Sequence, residues 1–208
     1  MGKKQVVVID YGMGNLWSVA SAIRFLGAEA LITTNTKEIS AAKYLILPGV
    51  GSFRRAMEII KQNSIDQAIL QSLSQSETKL LGICLGMQLL GSESSEDGDT
   101  QGLGLVQNTV RKFTNTADTR LKIPHVGFSE VKHDSNTKLF GGIPSGSCFY
   151  FVHSYFMGLT PDIKSVATCN HGTEFVAAFE QGQVSGTQFH PEKSQSIGLK
   201  LLKNFLER

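Results

Sequence analysis

The sequence predicts an α/β fold, a central and mostly parallel sheet flanked by helices, with additional antiparallel strands in the C-terminal half. Three observations carry this. Up to Leu90, short aliphatic runs alternate with segments of helical spacing. The runs are continuous rather than alternating, as in Val6-Val7-Val8-Ile9, which marks strands buried on both faces. After Gly104 the helical segments give way to strands that follow one another closely.

Val6 to Ile9 is the first strand. Gly12 to Gly14 turn the chain, and Leu16 to Phe25 carry a helical pattern that stops at Gly27. Leu31-Ile32-Thr33 is a second, weaker strand, and Tyr44 to Leu47 is a third, broken by Pro48-Gly49. Two apolar clusters of helical spacing follow, Met57-Ile59-Ile60 and Ile65 to Leu73. Lys79 to Ile83 is a fourth strand running into Cys84. Such repetition implies right-handed crossovers and helices on both sheet faces. The polar stretch Gly91 to Gly102 reads as a solvated connection in preference to a partner-contacting flap. Val106 to Phe113, Phe149 to Val152, Val166 to Cys169, Phe175 to Phe179 and Val184 to Phe189 read as strands, the last two joined at Gln181-Gly182. Ser196 to Leu206 is a closing helix with Ile197, Leu201, Leu202, Phe205 and Leu206 on one stripe. With no linker and no internal repeat, residues 1–208 read as one domain.

A hydrophobic share of 41% against 18% charged is an ordinary globular balance. A net charge of +2, without a dense basic run, gives nucleic-acid binding no support. Three cysteines, Cys84, Cys148 and Cys169, lack paired metal spacing and argue for free thiols in a reducing compartment. No run approaches the ~20 apolar residues of a membrane span, and the apolar run behind the basic start is too short for a signal peptide. A cytoplasmic protein without metal or cofactor is expected.

The strongest local signal is Gly82-Ile83-Cys84-Leu85-Gly86, after an apolar strand and before the helix-prone Met87-Gln88-Leu89-Leu90. It reads as a nucleophile elbow with cysteine in the serine position. The flanking glycines relieve crowding, the helix start favours a thiolate, and the N–H of Leu85 is free to face an oxyanion. The bland alternative is a buried structural cysteine. Of the five histidines, His190 stands out. It ends a strand, Pro191 biases it toward extended backbone, and Glu192 two residues on projects to the same side. Taken alone, His-Pro-Glu is equally an ordinary strand exit; beside an elbow cysteine it completes a Cys-His-Glu triad. Pro48-Gly49-Val50-Gly51 also ends a strand, at the edge where parallel sheets bind ligands. Alone it is a plain turn; beside Cys84 one of its N–H groups, at Val50 or Gly51, is a second oxyanion donor.

Together Gly82 to Gln88, Gln188 to Glu192 and Leu47 to Gly51 resemble the class I, or triad, glutamine amidotransferases. Asp10 to Leu16, Pro124 to Gly127, Tyr150 to Tyr155 and Lys200 to Leu206 narrow the likeness to the glutaminase subunits of imidazole glycerol phosphate synthase. The resemblance covers essentially the whole chain and implies that family's fold. It implies Cys84 as nucleophile, His190 as base then acid, and Glu192 as its orienter. It also implies that Gly49, Gly51, Gln88, His153, Ser154 and Tyr155 hold L-glutamine. Cys148 and Cys169 match no motif and are expected in the core.

The resemblance further implies a heterodimer. Its second member would be the synthase or cyclase subunit that consumes the ammonia, expected to be a barrel protein and met by Asn15, Pro124, His125 and Phe128. Nothing in the chain itself offers a second active site for ammonia. Rotation of the Gly49-Val50-Gly51 backbone on partner binding is expected to gate the reaction, leaving the isolated chain a poor glutaminase. Where the family reads Pro-His-Met-Gly-Trp-Asn this chain has Pro124-His125-Val126-Gly127-Phe128-Ser129. That departure keeps open a related glutaminase whose partner amidates bacterial surface sugars. A cysteine peptidase and a non-catalytic module of the same fold are the remaining alternatives.

Overall fold

The structure, a computed structural model, describes residues 3–115, 120–134 and 137–208. Its first half is β1 (Gln5–Ile9), α1 (Leu16–Phe25), β2 (Glu29–Thr33), α2 (Thr36–Ser40), β3 (Tyr44–Gly49), α3 (Phe53–Gln62), α4 (Ile65–Leu73), β4 (Lys79–Cys84) and α5 (Leu85–Leu89). Two short strands, β5 (Glu93–Ser94) and β6 (Thr100–Gln101), lead to β7 (Thr109–Lys112). Then come β8 (His125–His133), β9 (Ser147–His153), β10 (Tyr155–Met157), β11 (Val166–Asn170), β12 (Glu174–Gln181), β13 (Val184–Thr187) and α6 (Gln195–Leu206).

The main sheet runs β2-β1-β3-β4-β13-β12-β11-β8-β9. Its members from β2 to β13 pair in parallel. From β12 onward the pairing is antiparallel, so the two halves share one sheet. A second sheet, β10-β7-β5-β6, stands beside it.

Alternation along β1 explains its continuous apolar run. Val6 and Val8 enter a cluster with Val19 and Ile23 of α1 and Leu201, Leu202 and Phe205 of α6. Val7 and Ile9 enter the opposite cluster, with Phe53 and Ile60 of α3 and Ile69 of α4. Each face buries its own half of the run, and both halves must be apolar.

β8, α2, β10 and the 91–102 connection are among the departures from the sequence reading. β8 was not legible, because only one of its faces is covered and Gly127, Ser129, Glu130 and Lys132 dilute its pattern. α2 is a single short turn of helix, capped where Asn35 Oδ1 accepts the Lys37 N–H at 3.0 Å. The 91–102 connection is not free in solvent. It forms β5 and β6, and Glu96 within it accepts the Phe53 N–H at 2.8 Å, closing the start of α3. Among the described residues no helix is long and apolar enough to cross a membrane.

Candidate active site

The register Gly49↔Cys84 ends β3 and β4 side by side at the carboxyl edge of the parallel strands. There Cys84 turns the chain with φ 55° and ψ −111°, a conformation rare for a side chain-bearing residue and typical of strained functional turns. The glycines on either side are required by space. A Cβ on Gly86 would stand 1.7 Å from the Leu47 carbonyl oxygen, and one on Gly82 would stand 2.7 Å from the Met87 backbone. The elbow therefore forms only if α5 lies directly on β3 and β4.

β13 delivers the histidine. Its strand stops at Thr187, and His190 follows in extended backbone, with its N–H donated to the Tyr150 carbonyl at 2.9 Å. Pro191 then opens a 3-10 turn, Pro191–Lys193. Glu192 thus reaches the ring because the chain curls, not because an extended strand repeats every second residue. His190 Nδ1 meets Glu192 Oε1 at 2.8 Å, both side chains buried. The carboxylate holds the proton on Nδ1 and leaves Nε2 toward Cys84. Among the described residues Nε2 makes no hydrogen bond, and Cys84 lies near enough to act on the ring. Burial alone would lower the ring's pKa; contact and charge from Cys84 and Glu192 outweigh it and raise it to about 10. Both neighbours thus favour the imidazolium form of the ring.

A cavity of about 340 Å³ opens above the sulfur. Of the sequence-expected residues, Val50, Gly51, Leu85, Gln88, His153, Ser154, Tyr155 and Pro124 line it together with Cys84. Gly49 does not belong with them: it is buried beneath the site, and a Cβ there would stand 2.9 Å from the Gly86 nitrogen. Its part is to let α5 approach β3. The structure adds Glu96 and Val152 to the lining, neither legible in the sequence. Burial raises the Glu96 carboxyl above its usual range.

Behind the cavity His153 Nε2 meets His125 Nδ1 at 3.1 Å, and His153 Nδ1 donates to the Tyr155 carbonyl at 2.8 Å. Burial lowers His125 to about 4 and His153 to about 3, so both are neutral. His125, expected to meet a partner, is instead buried, stacked on Phe151 and His171 and bonded to Ser129 Oγ at 2.8 Å. Strand alternation is the reason, since it turns His125 inward and its neighbour Val126 outward. Phe128 is 50% exposed, with Val126 at 54% and Val152 at 36%, an apolar patch carried by β8 and β9. Asn15 is half-buried at the start of α1 with no side-chain cap bond. Cys169 is buried, but Cys148, expected in the core, is exposed. On β9 it is Phe149, Phe151 and His153 that point inward.

The family model for glutamine amidotransferase class-I matches residues 7–208. The chain belongs to the class I glutamine amidotransferases. It is 43% identical to the imidazole glycerol phosphate synthase subunit HisH of Methanosarcina acetivorans, covering 98% of each chain. It is 42% identical to subunit HisH 1 of Campylobacter jejuni, covering 97% of this chain and 98% of the relative. Among solved structures, PurLQS from Thermotoga maritima superposes with a TM-score of 0.75 at 18% identity, covering 99% of both chains. A glutamine amidotransferase from the same organism gives 0.69 at 16%, covering 100% of this chain and 98% of the other. These last two show the class I amidotransferase fold alone.

Two further groups of this amidotransferase, beside Glu96 and Val152, escaped the sequence reading as site residues. Gln188 lies 3.7 Å from Cys84 Sγ, and its one sequence signal is its place two residues before His190. Tyr11 is buried against Gly49, its hydroxyl without a hydrogen-bond partner among the described residues. Burial, then the charge of Cys84, raises its pKa. No spacing rule could have placed it there.

Proposed function

We propose that this chain is the glutaminase subunit of an imidazole glycerol phosphate synthase, hydrolysing L-glutamine and passing ammonia to a cyclase partner. The geometry that supports it is a buried imidazole, held by Glu192, facing a cysteine on a strained elbow beneath a cavity sized for an amino acid. Near-full-length identity to the HisH subunits selects this branch of the family.

The Cys84 thiolate attacks the side-chain carbonyl carbon of glutamine. The N–H of Leu85 and an N–H of the Val50–Gly51 segment, both lining the cavity, receive the oxyanion. His190, protonated next to Glu192, gives its proton to the departing nitrogen, so ammonia leaves and a glutamyl thioester remains. Water, with His190 now as base, cleaves the thioester to glutamate and restores the thiolate. Ammonia protonated in bulk water is no nucleophile, and a partner must therefore cover this edge. The exposed Val126, Phe128 and Val152, beside the cavity's Pro124, provide the apolar face for it.

The test mixes this chain with a cyclase partner and compares glutamine with ammonium as nitrogen source. Glutamine-dependent cyclisation supports the reading. Glutamine hydrolysis that supports only a sugar-amidating partner would instead favour the branch suggested by Phe128 and Ser129.

A further inference from the structure

We propose that Gln188 is a further catalytic residue: its carboxamide, locked by Gln88, donates an N–H to the Cys84 sulfur and stabilises the thiolate. The inference rests on Cys84 being the nucleophile, and deepens that reading.

The orientation of this amide follows from donor and acceptor chemistry. The Tyr155 carbonyl can only accept, and the Gln88 atom 2.8 Å from it is therefore Nε2. That nitrogen also stands 2.9 Å from a Gln188 carboxamide atom, which must then be Oε1. The remaining atom of Gln188, Nε2, is left 3.7 Å from Cys84 Sγ. A flip of either amide would place two oxygens or two N–H groups face to face. The Tyr155 carbonyl is itself held by a second donor, His153 Nδ1, backed by His125 and Ser129. Five side chains and one carbonyl thus dictate a single direction for the donor at the sulfur.

The consequence is chemical. Gln188 is fully buried, so no water competes for its N–H. A donor to sulfur stabilises the thiolate more than the thiol, because the bond is stronger to the charged form. It also opposes rotation of the sulfur away from His190. The other groups acting on the sulfur are His190, from the segment after β13, and Tyr11, from the loop after β1. The Val152 carbonyl is 3.9 Å away and accepts only from the thiol form. Gln188 is thus the neutral donor that balances it. The same bonds commit both Gln88 protons, so Gln88 offers glutamine its Oε1.

The readout is alkylation of Cys84 by iodoacetamide, followed peptide by peptide, with exposed Cys148 as internal reference. Gln188→Met fills the same space without a donor. At pH 7 its Cys84 alkylation is expected to fall about tenfold, with the deficit closing at pH 10. Gln188→Glu, isosteric but unable to donate when ionised, is expected to fall further. Cys84 alkylation in both variants equal to the parent across this pH range would overturn the proposal. So would an equal deficit at pH 7 and 10, which is the mark of lost packing. Failure of the parent chain's Cys84 to react with an electrophilic glutamine analogue would instead strike the proposed function.

Discussion

His190 Nδ1 and Glu192 Oε1 stand 2.8 Å apart across one proline, both side chains buried. The pairing fixes which nitrogen of the ring carries the proton and which faces Cys84. Glu192→Gln keeps the shape and an acceptor oxygen but removes the charge that favours imidazolium. Glutamate release in the presence of a cyclase partner is expected to drop about 10²- to 10⁴-fold, with glutamine KM little changed. Unaltered turnover in a steady-state assay would remove Glu192 from the reaction.

Gly86→Ala tests the elbow. The added methyl would overlap the Leu47 carbonyl, and backbone cannot swing aside as a flexible side chain can. A loss of more than about 3 kcal/mol of stability, or no folded protein, is expected in a denaturant titration. A variant as stable as the parent would mean that α5 is not seated on β3.

The neutral pair His125 and His153 makes stability depend on pH. Both rings have folded pKa values, about 4 and about 3, below the ordinary 6.5 of the unfolded chain. Between those values the unfolded state binds more protons. Stability is thus fully present above pH ~6.5 and falls as pH drops toward ~4. Thermal unfolding across this range is expected to show the decline, and His153→Asn to flatten it. An identical slope in both proteins would place the acid sensitivity elsewhere.

The β8–β9 patch makes the docking claim measurable. Val126→Asp and Phe128→Asp add charge at exposed positions, so the fold should tolerate them. Affinity for a cyclase partner is expected to weaken at least about tenfold by titration calorimetry, leaving the thermal midpoint near that of the parent. Unchanged affinity would move the interface off this face.

The parallel half of the fold was legible because each buried strand is a continuous apolar run closed by glycine or proline. The elbow at Cys84 and the His190–Glu192 pair were legible because each sits within a few residues of a strand end. What escaped depends on neighbours distant in sequence. The inward turn of His125 and outward turn of Cys148 follow from which face of β8 and β9 is covered, and their residues do not alternate clearly enough to tell. Glu96 reaches the cavity from a stretch whose composition reads as solvent-loving. Gln188 matters through a bond to a residue 104 positions away.

The most direct measurement is the intact and peptide mass of this chain, in complex with a cyclase partner, after treatment with an electrophilic glutamine analogue. One adduct per chain is expected, on Cys84, prevented by excess glutamine and slowed strongly in His190→Ala. Label on exposed Cys148 with Cys84 untouched, or an adduct at Cys84 indifferent to glutamine and to His190, would contradict that expectation.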